Sequence, residues 1–292
     1  MQPHDASALD FDALWDYGRP GETEARFRQL LPQIAPQADQ HAELLTQIAR
    51  AQGLQRRFAD AHQTLDAVQG LLPGALSRAT IRYLLERGRV FNSARQPEHA
   101  RPLFLQAWEA ALALGEDFYA IDAAHMLGIA EVADQQLSWH LRALERAEQS
   151  MDPRANRWLG SLYNNIGWTY HDAQRYGDAL AMFEKAVEWR AAQGQARELR
   201  IARWCVARAM RSLGRIDEAL AMQRALADEL AQSGETDGYV YEELAECLLR
   251  LDRPIEARPY FTLAYQALAQ DPWLVEREPA RIARLKQLGE GA

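Results

Sequence analysis

WLGSLYNNIGWTYHDAQRYGDALAMFEKAVEWRAAQGQ, residues 158–195, contains two successive helix patterns that the rest of the chain repeats more loosely. In its first half, Tyr163 and Ile166 belong to a line of residues spaced three or four positions apart. In its second half, Tyr176 and Phe183 belong to another such line. This spacing is the helical period, so the stretch predicts two helices that face each other as a hairpin.

Gly167 and Ala179 are small residues placed twelve positions apart, one in each predicted helix. Small side chains there would let the two helix axes approach to about 8 Å, while aromatic neighbours fill the remaining space. The same pair of positions recurs every 38 to 40 residues, with Ala or Gly at every position except His140. The pairs are Ala49 and Ala61, Gly88 and Ala100, Gly128 and His140, Gly167 and Ala179, Ala207 and Ala219, and Ala245 and Ala257. A fixed period of this kind predicts an array of helix hairpins.

The unit around Gly167 resembles a tetratricopeptide repeat, whose usual length is about 34 residues. Its longer period is similar to that of the long-repeat tetratricopeptide modules of kinesin light chain and of bacterial peptide-sensing regulators. The resemblance implies an all-α fold, a right-handed α-solenoid of about seven helix hairpins that forms a single domain over residues 1–292. Residues 1–41 would form an N-terminal partial repeat that acts as a cap, residues 42–272 six repeats, and residues 273–292 a C-terminal capping helix.

Both ends of the chain are expected to cover the repeats beside them. A short helix over Leu9–Tyr17 would pack on the first repeat. Its apolar residues are Phe11, Leu14 and Trp15. A final helix over Val275–Leu288 would cover the last repeat with one apolar face and expose the rest. That face consists of Ile282, Ala283, Leu285 and Leu288.

The composition is ordinary for a globular protein with a core, since 48% of the 292 residues are hydrophobic and 25% are charged. The formal net charge is -8, with acidic and basic residues interleaved, so a nucleic-acid partner is not predicted. No 18-residue window is free of charge, so no membrane partner is predicted. The first fifteen residues lack the pattern of a secretion signal, so the mature chain is expected to begin at Met1.

The two cysteines, Cys205 and Cys247, lie in adjacent repeats outside any CxxC or Cys/His cluster. We interpret them as buried free thiols, with a disulfide or a redox pair as the alternative, and expect a cytoplasmic location. The sequence contains no metal, nucleotide or nucleophile motif. His171 and Asp172 are neighbours that point about 100° apart on a helix, so they do not form an acid–base pair. The prediction is a non-enzymatic protein without a metal or cofactor.

The third repeat departs from the pattern at two positions. His140 stands where a small residue is expected, and Glu131 stands where the neighbouring repeats have Phe91 and Tyr170. We expect a locally splayed helix pair with the His140 ring half exposed. The alternative is a buried, pH-responsive pair of His140 and Glu131 at a kink in the array.

In a stack of such hairpins the first helices line a concave surface, which is the candidate site. Its middle combines Trp168 and Trp204 with Arg208 and Arg211, residue types that contribute binding energy when desolvated. The predicted ligand is a peptide or protein segment with acidic side chains or a terminal carboxylate, bound bidentately by the two arginines. Asn164 would bind its backbone amides. The candidate peptide-binding residues are Arg89, Asn92, His125, Asn164, Trp168, His171, Trp204, Arg208 and Arg211.

Three alternatives to this interpretation remain. In the first, the tryptophans pack between helices, and Arg208 and Arg211 pair with Glu242 and Glu246. In the second, the protein is a structural scaffold whose end repeats form a homodimer and whose groove is idle. In the third, it senses a peptide and regulates a partner protein. Replacing both arginines by alanine is expected to weaken binding of an acidic partner and to leave the fold intact.

Overall fold

A computed structural model describes residues 10–36, 39–72 and 74–291, apart from the side chains of residues 133 and 134. Within these residues the structure contains helices and no strand, so the predicted all-α fold class is confirmed. The α-helices are α1 (Pro20–Leu30), α2 (Asp39–Leu54), α3 (Phe58–Leu71), α4 (Arg78–Ser93), α5 (Pro97–Leu114), α6 (Asp117–Ala130), α7 (Ala133–Gln149), α8 (Leu159–Asp172), α9 (Tyr176–Ala192), α10 (Ala196–Ser212), α11 (Ile216–Ser233), α12 (Gly238–Arg250), α13 (Pro254–Leu268), α14 (Pro272–Arg277) and α15 (Pro279–Glu290). Short 3-10 helices cover Phe11–Leu14, Leu31–Gln33 and Ala155–Trp158.

The chain divides into two compact units, unit 1 from Met1 to Leu162 and unit 2 from Tyr163 to Ala292. In unit 1 the pairs α2/α3, α4/α5 and α6/α7 pack as hairpins, and α4 also packs on both α2 and α6. In unit 2 the pairs α10/α11 and α12/α13 pack as hairpins, α9 packs on α10, and α10 contacts α12. The first helices of successive hairpins therefore form one face of each unit. The predicted division into a cap over 1–41, repeats over 42–272 and a capping helix over 273–292 stays a prediction.

Five hairpins share one type of turn between their two helices. Each turn contains one residue with positive φ, and the next residue donates its backbone N–H to the carbonyl five positions earlier, as Arg175 does to Tyr170 at 2.8 Å. This is the Schellman closure of a helix C-terminus. The residues with positive φ are Arg56, Arg95, Gln174, Gly214 and Asp252. The shared turn starts each second helix nine residues after the small residue of the first helix.

The third hairpin, α6/α7, has a shorter turn. Helix α6 ends two residues after Gly128, whereas the other first helices end five residues after their small residue. Helix α7 begins five residues after Gly128 instead of nine, so its residues are displaced by four positions, about one helical turn. His140 therefore occupies the place of Phe104 and Phe183, and the interpretation of His140 as a replacement for the small residue is wrong.

Three glycines of the first helices lie under an aromatic ring from the second helix of their hairpin. A Cβ atom at any of them would come within 3.0 Å of ring atoms. The pairs are Gly88 with Phe104, Gly128 with His140, and Gly167 with Phe183. Glycine at these positions therefore makes room for a ring. Ala179, which the sequence pairs with Gly167, is fully buried. The side chain that leaves no room for a Cβ atom at Gly167 is Phe183 and not Ala179.

His140 is only 3% exposed, so the expected half-exposed ring is wrong. In the described part of the chain no ion pair joins it to Glu131, whose carboxylate lies 3.7 Å from Arg101 Nε. The alternative pairing of His140 with Glu131 is therefore wrong as well, although the burial it assumed is correct. The ring faces His125 instead, with 5.9 Å between the ring centroids.

The C-terminal segment differs from the predicted single helix over Val275–Leu288. It consists of α14 and α15, and Glu278 between them has a non-helical backbone with φ −127° and ψ 48°. Pro279 explains the break, because a proline disfavours the helical conformation of the residue before it. Of the predicted apolar face, Ile282 and Leu285 are buried, Leu288 is half-buried and Ala283 is exposed.

The N-terminal segment contributes to the core of unit 1. Phe11 is buried, and its ring centroid lies 6.5 Å from that of Phe27 on α1. Trp15 contacts the same ring at 5.4 Å. The indole N–H of Trp15 donates to the Gln47 side chain on α2 at 2.9 Å, so the packing predicted for this segment on the first repeat is confirmed at Trp15. The helix itself is shorter than predicted, a 3-10 helix over Phe11–Leu14, and Leu9 lies outside the described residues.

Cys205 and Cys247 are both buried free thiols, as predicted. Burial raises the pKa of each thiol to about 12, so neither is a thiolate at neutral pH. No helix of the described residues is both long enough and apolar enough to cross a bilayer.

Candidate functional site

Trp168, Trp204 and Tyr239 form a line of rings across the first helices of unit 2, here called the aromatic row. The ring centroids of Trp168 and Trp204 are 5.9 Å apart, and those of Trp204 and Tyr239 are 6.1 Å apart. Trp168 also contacts Phe183 at 5.3 Å, and the indole N–H of Trp204 donates to the Tyr239 carbonyl at 3.0 Å. Both tryptophans are half-buried. They pack between helices and still present part of each ring to the surface.

Arg208 and Arg211 lie on α10 and converge on Glu243 of α12. Arg211 forms a bidentate pair with Glu243, in which Nη2 donates to Oε2 at 3.0 Å and Nε donates to Oε1. Arg208 Nε lies 3.6 Å from Glu243 Oε2. Glu243 is 3% exposed, so these guanidinium groups take the place of solvent around its carboxylate. Two cations therefore share one carboxylate, and the cluster carries one net positive charge.

Glu242 and Glu246 pair with arginines of α15. They are therefore not the partners of Arg208 and Arg211, as the first alternative above had it. Arg281 Nε donates to Glu242 Oε1 at 2.9 Å, and Arg284 donates to Glu246. The C-terminal helix therefore neutralises both carboxylates. In the described part of the chain, Glu243 remains the one ion-pair partner of Arg208 and Arg211.

His171 and Asn164 connect α8 to α10. His171 Nε2 lies 2.9 Å from the Ser212 hydroxyl. Burial lowers the pKa of His171, and the positive charge of Arg208 lowers it further, so its imidazole is neutral near pH 7. The Asn164 carboxamide oxygen accepts from Cys205 Sγ at 3.4 Å, so this oxygen already has a partner. The role predicted for Asn164 in binding backbone amides stays a prediction.

A cavity of about 440 Å³ adjoins the aromatic row and is here called the Trp204 cavity. Its apolar walls come from Ile201, Trp204, Leu226, Leu230 and Val240. Ile201 is 47% exposed at its mouth. The sequence analysis did not predict this cavity. The signal in the sequence was Ile201, an apolar residue of α10 that lies outside the buried face of that helix. Its size and lining suit an apolar side chain of a bound segment.

The structure places the remaining predicted site residues in unit 1. Arg89 is tied to two carboxylates, since it donates to Glu86 at 2.6 Å and to Asp122. His125 interacts with the same Asp122, and burial lowers the pKa of its imidazole to about 4. Asn92 is half-buried in the last turn of α4. Arg89 and His125 are thus neighbours of one carboxylate, and Arg89 is already neutralised.

In residues 10–36, 39–72 and 74–291 no three His, Cys, Asp or Glu side chains are grouped so that they could hold a metal ion.

Residues 160–193 match the sequence model of the tetratricopeptide repeat. A search of curated proteins finds no match. The similar solved structures include a signal-transduction ATPase with numerous domains and a tetratricopeptide repeat sensor, from Pyrococcus horikoshii. That match has a TM-score of 0.70 at 14% identity and covers 94% of this chain but 42% of the Pyrococcus chain.

Two other solved structures have the same kind of fold. The apo form of RapI matches with a TM-score of 0.68 at 11% identity, over 88% of this chain and 73% of RapI. Tetratricopeptide-like repeats assigned to a kinesin light chain of Podospora anserina match with a TM-score of 0.53 at 16% identity, over 65% of this chain and 94% of theirs. At these identities the likeness shows the fold alone.

Proposed function

We propose that the chain is a tetratricopeptide repeat protein and that it is a non-enzymatic interaction module, which binds a peptide or a segment of a partner protein on the first-helix face of unit 2. The observation that carries the proposal is the half-exposed aromatic row beside the Trp204 cavity. Aromatic side chains at a concave, partly desolvated surface are the residues that dominate binding energy in protein interfaces.

The proposed ligand is an extended segment with one apolar anchor and one acidic group. The anchor would enter the Trp204 cavity, whose volume of about 440 Å³ exceeds the need of one side chain and leaves room for adjoining backbone. From Trp204 the aromatic row leads to Trp168, which contacts His171 at 5.2 Å, and His171 lies near Arg208. An acidic side chain or a terminal carboxylate would bind the net positive charge of Arg208 and Arg211.

Glu243 sets a limit on how strongly this site attracts acidic ligands. It already occupies the bidentate face of Arg211, so an incoming carboxylate would gain mainly the outward donors of Arg208. We therefore propose that the apolar anchor contributes most of the affinity and that the acidic group contributes orientation and selectivity. Buried cysteine thiols favour a reducing, cytoplasmic setting for this interaction.

The test selects random peptides with free C-termini on the intact chain by phage display and measures the selected peptides by fluorescence anisotropy. Trp204→Ala is expected to weaken binding about tenfold or more, because it removes a wall of the cavity and the centre of the aromatic row. Trp189→Ala is the matched control, because Trp189 lies on the second helix α9 and outside the row. Equal binding by wild type and Trp204→Ala, or failure to select any peptide, would refute the proposal.

Two further comparisons test the chemistry of the ligand. Amidation of the peptide C-terminus and the variant Arg208→Gln are each expected to weaken binding by less than Trp204→Ala does. An amidated peptide that binds as tightly as the free acid to both proteins would remove the carboxylate from the proposal and leave the apolar anchor. A regulator that senses a peptide and acts through a partner would show the same binding.

A structural homodimer is the second candidate, and one surface favours it. Trp273 and Val275 on α14 are 51% and 43% exposed, which is unusual for an aromatic and a β-branched residue on one short helix. Light scattering after size-exclusion chromatography distinguishes the candidates. A dimer that Trp273→Ser converts to a monomer supports the scaffold, and a monomer at all concentrations excludes it.

A further inference from the structure

The first-helix face of unit 1 contains a cavity of about 310 Å³, here called the Trp158 cavity. Its aromatic lining consists of Tyr17, Phe118, Tyr119 and Trp158. These rings come from the N-terminal segment, from α6 and from the 3-10 helix before α8. The cavity lies in a different unit from the Trp204 cavity and uses none of its residues.

Four residues of this lining carry a buried polar atom that has no hydrogen-bond partner in the described part of the chain. One of these atoms, Arg82 Nε, lies 3.0 Å from the Glu43 carboxylate as an ion pair. The other three are Glu86 Oε2, Tyr119 Oη and Trp158 Nε1. Glu86 and Tyr119 are each 2% exposed. Buried polar groups are nearly always paired, and leaving one unpaired costs free energy. One acceptor, one donor and one hydroxyl that can do either are therefore gathered around one small cavity.

The charged residues around the cavity form a network with an excess of carboxylates. Arg82 donates to Asp12 at 2.7 and 3.1 Å and lies 3.0 Å from Glu43. Arg50 lies 3.4 Å from the other oxygen of Glu86, Oε1, which also accepts from Arg89. The guanidinium groups of Arg50, Arg82 and Arg89 thus face the carboxylates of Asp12, Glu43, Glu86 and Asp122. Three positive and four negative groups leave one negative charge inside.

The rim of the cavity is positively charged, in contrast to the negatively charged interior. Arg157 lines it, is exposed, and forms no ion pair with any of the described residues. The cavity of about 310 Å³ has room for one small ligand, and a ligand that suits both regions has a cationic donor at the inner end and an anionic or carbonyl oxygen at the rim end. The aromatic rings between them fit an apolar side chain, while guanidinium groups already lie over three of these rings, Arg50 over Tyr17, Arg82 over Tyr119 and Arg154 over Phe118.

We propose that the Trp158 cavity binds the free α-ammonium group of a single amino-acid residue. The ammonium group donates to Glu86 Oε2 and to the Tyr119 hydroxyl, the indole N–H of Trp158 donates to the ligand carboxylate or carbonyl, and Arg157 binds the same oxygen from the rim. The ligand side chain packs on Phe118. This chemistry has two sources, a free amino acid and the N-terminal residue of a peptide.

The experiment titrates the intact chain by calorimetry with the free L-amino acids, with their N-acetyl derivatives, and with dipeptides that carry the same residue at the N-terminus. At least one free amino acid or dipeptide is expected to bind, and acetylation of its amine is expected to weaken binding about tenfold or more. A dipeptide that binds more tightly than its free amino acid identifies a peptide N-terminus as the source, and the reverse order identifies a free metabolite.

Glu86→Gln is expected to weaken binding, because it removes the carboxylate that accepts from the ammonium group. Two further variants keep the test decisive if Glu86→Gln fails to fold. Tyr119→Phe and Trp158→Phe each remove an unpaired polar atom and keep an aromatic ring, so the free protein should melt at the same or a higher temperature while binding weakens. Trp204→Ala in unit 2 should bind the amino acid as wild type does, which separates this proposal from the one above. Binding by none of the probes, or binding that Glu86→Gln, Tyr119→Phe and Trp158→Phe all leave unchanged, would overturn the proposal.

Discussion

The imidazole of His140 lies on Gly128 in the place where the ring of Phe183 lies on Gly167. The two rings are offset by four positions in sequence, because the short turn after α6 starts α7 one helical turn early. The ring-on-glycine contact is thus kept in a hairpin whose turn differs, and the residue that makes it is a titratable one. His140 Nδ1 has no hydrogen-bond partner in the described part of the chain.

We expect the protein to lose stability between pH 7 and pH 5 through this contact. Burial lowers the pKa of both His140 and His125 to about 4, so the unfolded chain takes up protons before the folded chain does as the pH falls through 6.5. The stability that the folded protein has with both imidazoles neutral is fully present above pH 6.5 and is lost as the pH falls toward 4. Each histidine then costs about 2 kcal/mol between pH 7 and pH 5, measured as the free energy of unfolding in urea.

The variant His140→Phe should reduce this loss to about half, because it leaves only His125, and should keep the stability at pH 7. His99→Gln, which removes an exposed histidine, is the surface control for the substitution. An unchanged pH dependence in His140→Phe would contradict the assignment.

Substitution of Gly167 should destabilise the protein even with the smallest side chain. A Cβ atom at this position overlaps the Phe183 ring, so Gly167→Ala should lower the free energy of unfolding by about 1 to 3 kcal/mol and Gly167→Leu by at least as much. Gly177→Ala is the matched control, because nothing lies within 4 Å of its Cβ position in α9 and alanine favours helix there by up to about 1 kcal/mol. Equal melting temperatures for both alanine variants would refute the close contact.

Gln223 offers a stabilising substitution. It is fully buried on α11, and its amide nitrogen and oxygen both lack a partner among the described residues. The equivalent residue of the first hairpin is Leu65, which is also fully buried. Gln223→Leu should therefore raise the free energy of unfolding by about 1 kcal/mol or more, and Leu65→Gln should lower it. A lower melting temperature for Gln223→Leu would indicate that the amide has a partner in solution.

Arg211→Ala should destabilise unit 2, contrary to the sequence-based expectation that the arginines can be replaced without harm. The substitution leaves Glu243 buried without its bidentate partner, which costs about 2 kcal/mol or more. The double variant Arg211→Gln with Glu243→Gln keeps a polar pair and should recover most of that loss. Chemical unfolding of the three proteins measures the difference, and a stable Arg211→Ala would show that Glu243 is solvated.

Much of the fold could be predicted because hairpins are encoded locally. Apolar residues at three- and four-residue spacing and the recurring small residue predicted the positions of α8 and α9 and the sequence of hairpins. The shift of His140 could not be predicted in this way. It depends on where the backbone of residues 131–132 ends one helix and starts the next, and the residue types there favour no particular turn.

The candidate sites depended much more on tertiary structure. Sequence reasoning found Trp168, Trp204, Arg208 and Arg211 because they share the exposed stripe of the first helices. It did not find Glu243, which lies one position from the predicted Glu242. Neighbouring positions on a helix point about 100° apart, so an error of one residue in register changes which carboxylate faces the arginines.

By itself the sequence determined an all-α array of helix hairpins, because helical periodicity is a property of residues only three or four positions apart. Which side chains meet across hairpins depends on the tertiary arrangement, as with Asp12 and Arg82, which lie seventy positions apart. Those contacts depend on the rotation and offset of whole helices. No short stretch of sequence contains that rotation and offset.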